Sequence, residues 1–134
     1  YGERINIFKH KFKLNVLLIY PNKPNFTKII YQKNKSFSKT FSIKKTQQTI
    51  KKNIHEYFHT ANNDLVHAAK KINPRIGYVI EYLKKQKICD FVQMTGSGSC
   101  CFAIFKSKKT LLKCEKLVKT RYRSYWTAKT KTIT

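Results

Sequence analysis

Two short stretches of this chain hold residues whose types and spacing could do chemistry. Met94-Thr95-Gly96-Ser97-Gly98-Ser99-Cys100 places two of the four glycines of the 134-residue sequence among small hydroxyl side chains. Glycine permits positive φ and lets a second backbone or a phosphate come close. Successive N–H groups in such a turn form a concavity that binds anions. A plain hairpin between two strands is the other reading of the same residues. The segment that follows, Cys101-Phe102-Ala103-Ile104-Phe105, is strand-like. Walker and dinucleotide loops open helices, so neither motif applies. The second stretch is His55-Glu56-Tyr57-Phe58-His59. On a helix this spacing puts two imidazoles on one face beside a glutamate, the arrangement of zinc-dependent hydrolases, and Glu81 lies downstream as a third ligand. Lys52 shares that face and Lys51 adjoins it. Cations oppose a bound dication, so no metal is expected at His55 and His59. His10 and His67 read as surface histidines.

The elements that must position these residues follow from periodicity. Val16-Leu17-Leu18-Ile19 marks a buried strand within Lys11 to Tyr20, stopped by Pro21. After a turn at Asn22 to Asn25, Thr27 can cap a short helix reaching Lys33. Lys33 to Ser42 is polar and reads as a mobile surface loop. From Thr46 a helix is expected, with Ile50, Ile54 and Phe58 at helical spacing. Asn63 or Asn62 caps the next helix, with Asp64 near its positive end. Pro74 opens another, whose Ile76, Val79, Ile80 and Leu83 form one stripe. Strands flank the glycine loop at Phe91 to Met94 and Cys101 to Phe105. Leu111, Leu112, Leu117 and Val118 mark a helix, and Arg123 to Lys129 a last strand. The sum is an α+β fold of split βαββαβ, ferredoxin-like type, an antiparallel sheet with helices on one face.

Composition bounds the partners. The length suits one domain, residues 1–134, with an ordinary two-layer core. No apolar run is long enough to span a bilayer, and no apolar targeting segment opens the chain, so a cytoplasmic protein without a membrane partner is expected. The first residue is tyrosine, so the chain is expected to be a piece of something longer. Cys89, Cys100, Cys101 and Cys114 show no paired spacing and read as reduced thiols. The formal charge of +23 suggests nucleic acid. Nearly all of it is lysine, however, the arginines being Arg4, Arg75, Arg121 and Arg123, whereas recognition of bases and phosphates favours arginine forks. Lysines and aromatics alternate near Phe37 to Lys45 without an RNA-binding motif. Non-specific, salt-dependent polyanion binding is the expectation.

The glycine loop resembles the third motif of the GHMP small-molecule kinases, and the order of segments agrees over nearly the whole chain. Gly2-Glu3-Arg4-Ile5 is similar to a Gly-Glu-basic-apolar segment. A strand ending at Pro21 follows, then Thr27-Lys28-Ile29-Ile30-Tyr31, Asn63-Asp64-Leu65, a helix from Pro74 and finally Met94 to Phe105. The chain departs from the family at Val66, where an acid is usual, and at Phe26, where a small residue is usual.

The resemblance implies the C-terminal domain of an ATP-dependent kinase whose N-terminal ATP-binding domain is absent here. The parent would use ATP with Mg2+ to phosphorylate the 2-hydroxyl of cytidine diphosphate methylerythritol, an isoprenoid precursor. It implies no catalytic residue in this chain, since the phosphate cradle, lysine and aspartate lie in the other half, and the chain alone would be inactive. Thr95, Gly96, Ser97, Gly98 and Ser99 would face the nucleotide phosphates. Tyr31 would stack on the cytosine, and Thr27 would line the same pocket. A core aromatic on an amphipathic helix is the other reading of Tyr31. Asn63 and Asp64 are accounted for as a helix cap near the site. A free-standing basic module for RNA or another polyanion is the competing class of function.

Overall fold

The structure, a computed structural model, describes residues 12–39 and 42–132. The Gly2 to Ile5 segment and His10 lie outside these residues. In chain order come β1 (Asn15–Tyr20), α1 (Thr27–Lys33), α2 (Ile43–Lys52), α3 (Ile54–Thr60), α4 (Val66–Ile72) and α5 (Pro74–Gln86). β2 (Phe91–Met94), β3 (Cys101–Phe105), α6 (Lys108–Arg121) and β4 (Trp126–Lys131) complete it. The four strands form one antiparallel sheet in the order β2-β3-β1-β4. The α+β architecture expected from the alternation of strands and helices is the one observed.

Strand register assigns the two faces. Leu17 pairs with Ala103 and Ile19 with Cys101, while Val92 and Met94 oppose the same two residues from β2. These side chains point to one face and are buried. Against them pack Ile76, Val79, Ile80 and Leu83 of α5 and Leu111, Cys114 and Val118 of α6. Each fully buried aliphatic side chain contributes about 1.5–3 kcal/mol relative to exposure. The other face carries Phe91 and Phe102, whose rings lie 5.8 Å apart. Phe58 of α3 stacks on Phe91 at 5.2 Å and 22°, so α3 covers part of that face.

Several boundaries differ from the reading of the sequence, each for a local reason. The helix expected from Thr46 begins at Ile43, because the Ser42 hydroxyl accepts from the Lys45 N–H. It does not run through Phe58. Asn53 is extended (φ −160°, ψ 106°) and its Oδ1 accepts from the N–H groups of His55 and Glu56, which ends α2 and starts α3. Thr27 is the first residue of α1 and not its cap; Phe26 holds the cap position without a side-chain bond. On α6, Leu112 is exposed and Cys114 takes its place in the buried stripe. The last strand starts at Trp126 because Tyr125 closes a turn onto the Tyr122 carbonyl. No helix among the described residues is long and apolar enough to cross a membrane.

Candidate functional site

The glycine loop joins β2 to β3 and is held from within and from two distant segments. Gly96 and Gly98 have φ of +46° and +85°, a region that side-chain-bearing residues rarely adopt. Within the loop, the Gly98 N–H donates to the Thr95 carbonyl at 2.8 Å and the Thr95 N–H to the Cys100 carbonyl at 2.8 Å. A Cβ on Gly98 would lie 2.6 Å from Asn25 Nδ2 and 2.7 Å from Met94 Sδ, whereas one on Gly96 would meet nothing within 4 Å. The two glycines therefore differ: Gly98 is pressed into the fold, and Gly96 faces open space. The N–H groups of Gly96 and Ser97 have no partner among the described residues. Ser99 is buried, and its hydroxyl has no partner there either.

From the first segment, Asn25 Nδ2 donates to the Ser97 carbonyl at 2.9 Å, and the Thr27 and Ser97 hydroxyls share a hydrogen bond of 2.9 Å. Asn25 is positioned in turn by fully buried Asn73, whose Nδ2 donates to Asn25 Oδ1 at 3.3 Å and to the Lys23 carbonyl at 3.0 Å. From the second segment, Asn63 Nδ2 donates to the carbonyls of Met94 (3.0 Å) and Gly96 (2.8 Å). Its Oδ1 accepts from the Leu65 N–H at 3.0 Å, so one amide both turns the chain into α4 and anchors the loop.

α1 presents its two faces differently. Ile30 is fully buried, while Tyr31, one helical turn after Thr27, is 52% exposed and borders a cleft of about 580 Å³. The cleft is also lined by Phe37, Asn63, Asp64, Thr95 and Gly96. Tyr31 is thus no core aromatic. Asp64 accepts from the Ser38 hydroxyl (2.7 Å) and N–H (2.8 Å). Those two bonds, the hydroxyl's first, hold its carboxyl below the usual carboxylate range. Asp64 secures the segment after α1 against the cleft instead of capping α4 directly.

The His55–His59 stretch lies on α3. His55 is half-buried with its ring edge-on to Phe58 (6.4 Å), and His59 is exposed. Glu81, the third ligand in that reading, pairs with Lys70 at 2.8 Å. Among the described residues no group of three His, Cys, Asp or Glu could hold a metal ion. His67 is exposed on α4.

The structure thus brings Tyr31, Asn63, Asp64, Thr95 and Gly96 to one cleft; Thr27, expected to line the same pocket, does not border it, because its hydroxyl turns to Ser97. Sequence reading missed Asn25, Asn73 and Ser38. The only signal for the asparagines was their place beside Pro24 and Pro74, where turn chemistry is concentrated.

Comparison with known proteins bears on the same region. Residues 43–122 match the family described as GHMP kinases C terminal. A 4-diphosphocytidyl-2-C-methyl-D-erythritol kinase of Pelagibacter ubique is 34% identical over 129 residues, covering 96% of this chain and 45% of that protein. A kinase of the same name from Ehrlichia ruminantium is 42% identical over 50 residues, 37% of this chain and 18% of that protein. A crystal structure of 4-(cytidine 5'-diphospho)-2C-methyl-D-erythritol kinase superposes with a TM-score of 0.64 at 14% identity, covering 87% of this chain and 42% of its own. That likeness speaks to the fold. The chain spans a little under half the length of the Pelagibacter relative and of that crystal structure's chain. With the family region covering more than half of its residues, the chain belongs to the GHMP kinase C-terminal family.

Proposed function

We propose that this chain is the C-terminal domain of a 4-diphosphocytidyl-2-C-methyl-D-erythritol kinase and forms one wall of its active site. The carrying observation is the Thr27–Ser97 contact of 2.9 Å, which ties the glycine loop to α1 and so brings Tyr31 to the loop's own cleft. The relative from Pelagibacter, alike over nearly the whole chain, supports the same reading. In the parent, ATP would supply the γ-phosphoryl group for the 2-hydroxyl of the cytidine-linked substrate, in the cytoplasm. Such transfer depends on positioning and on neutralising phosphate charge.

The residues present suit part of that task. The unpartnered N–H groups of Gly96 and Ser97, next to the open space over Gly96, fit the close approach of a phosphate. Tyr31 offers a ring face to a base. Mg2+ fits less well here: Asp64 is the one acid lining the cleft among the described residues, and Ser38 occupies it. Metal ligation and the general base then belong to the N-terminal half.

The test is to join the N-terminal half of the Pelagibacter relative to this chain and measure ATP-dependent turnover of the cytidine substrate. Turnover is expected in the joined protein and none in the 134-residue chain alone. Tyr31→Ala should raise KM for the cytidine substrate about tenfold, with a smaller effect on kcat. Turnover by the isolated chain, or an unchanged KM in Tyr31→Ala, would refute the assignment.

A further inference from the structure

We propose that the groove between α5 and α6 binds single-stranded nucleic acid, stacking bases on tyrosines and holding phosphates with a basic rim. Two adjoining hollows of about 630 and 740 Å³ share Tyr82 and Arg121 and so form one continuous groove. None of its lining residues borders the cleft of Tyr31 and the glycine loop. The inference therefore does not rest on the kinase reading.

The walls are aromatic. Tyr78 is 61% exposed. The Arg121 guanidinium lies 5.1 Å from the Tyr82 ring centre and 5.8 Å from that of Tyr122, and Tyr82 meets Tyr122 edge-on at 5.7 Å. Tyr122 is fixed by its stack on Tyr125 (4.7 Å, 11°) and by its hydroxyl, which donates to the Tyr78 carbonyl at 3.1 Å. The rim carries Lys85, Lys113 and Lys116, all exposed. Among the described lining residues the one acid, Glu81, is paired with Lys70 at 2.8 Å.

Aromatic faces interleaved with cations are the chemistry of single-strand binding. Stacking tolerates any base, and lysine reads only the phosphates. The groove is a hollow walled by residues of two helices, which suits a strand better than the flat surface of an anionic bilayer. Against the diffuse lysine charge of the chain, it is a place where charge and rings coincide.

The experiment titrates the 134-residue chain into a fluorescein-labelled oligouridylate and reads anisotropy. An oligomer of about 15 nucleotides in about 150 mM salt is suitable. Tyr78→Ser and Arg121→Gln alter exposed side chains, and urea unfolding checks that both variants fold. Each is expected to weaken binding about fivefold or more. A control pair, Lys44→Gln with Lys51→Gln on α2, should change it less than about twofold. Equal weakening by the control pair would overturn the proposal, as would unchanged binding in Tyr78→Ser. Polyphosphate or phosphatidylserine vesicles binding as tightly as the oligonucleotide, with the same dependence on the variants, would also overturn it.

Discussion

Replacing each loop glycine by alanine separates the pressed position from the open one. At Gly98 the new Cβ meets Asn25 Nδ2 at 2.6 Å, Met94 Sδ at 2.7 Å and Ile76 Cδ1 at 3.3 Å, with φ at +85°. The left-handed backbone costs a non-glycine residue about 1–2 kcal/mol. Met94 is 1% exposed and Ile76 fully buried, so neither has space to withdraw; overpacking of this kind costs about 1–3 kcal/mol. If Asn25 gives way, its bond to the Ser97 carbonyl goes too, a further loss of about 1 kcal/mol. Gly98→Ala should therefore destabilise the chain by about 3–6 kcal/mol. At Gly96 the Cβ meets nothing within 4 Å and φ is +46°, which leaves only a backbone cost of about 1 kcal/mol. Urea unfolding followed by far-UV circular dichroism should place the two midpoints about 1–3 M apart, with Gly98→Ala the lower. Midpoints that coincide, with equal m-values, would refute the account of the loop.

Asn63→Ala removes the donors to Met94 and Gly96 and the acceptor for Leu65; a loss of about 2–3 kcal/mol is expected in the same assay, and one below about 0.5 kcal/mol would count against the anchoring role. Glu115 is buried among Lys129 at 2.8 Å, Lys119 at 3.0 Å and the Thr127 hydroxyl. The hydrogen bond from Lys129, opposed by burial and helped by Lys119, holds its carboxyl below the ordinary value of 4.5. A depressed folded-state pKa stabilises fully above the unfolded value and fades as pH falls through the folded one. Stability should thus drop below about pH 4.5, and Glu115→Gln should flatten that part of the profile measured by urea midpoints. Burial pushes the thiols of Cys101 and Cys114 up to about 12 and that of Cys89 to about 11. Alkylation near neutral pH should therefore be slow and begin at half-buried Cys100, which mass spectrometry of partly modified protein can check; first modification of Cys101 would contradict it.

Much of the fold was legible because its signals were local. Val16 to Ile19 could only be a strand of that length, and Ile76, Val79, Ile80 and Leu83 share one helical face wherever α5 packs. The glycine loop announced itself through composition. What escaped the sequence were choices between equally available partners. Thr27 could cap α1, yet its hydroxyl goes to Ser97, seventy residues away. Asp64 sits where a helix cap would, yet Ser38 claims it. Asn53 breaks a stripe that Ile50, Ile54 and Phe58 would otherwise carry through, because an asparagine side chain competes with the helix backbone for the same N–H groups. Tyr31 and Ile30 are neighbours of similar apolarity, and only the position of α1 over the core decides which is buried.

The sheet order has a consequence for where this protein's cooperativity lies. β1 is bonded on both sides, to β3 and β4, yet both β1 and β4 fall outside residues 43–122, the stretch that matches the family. That stretch holds only the β2–β3 hairpin, and two strands alone are marginal in water. Asn25 and Thr27, which grip the loop, lie outside it as well. The recognisable sequence is thus smaller than the unit that must fold. A piece cut to the matched residues would lose the sheet's centre, and the amides of β1 should be among the last to exchange in the intact chain.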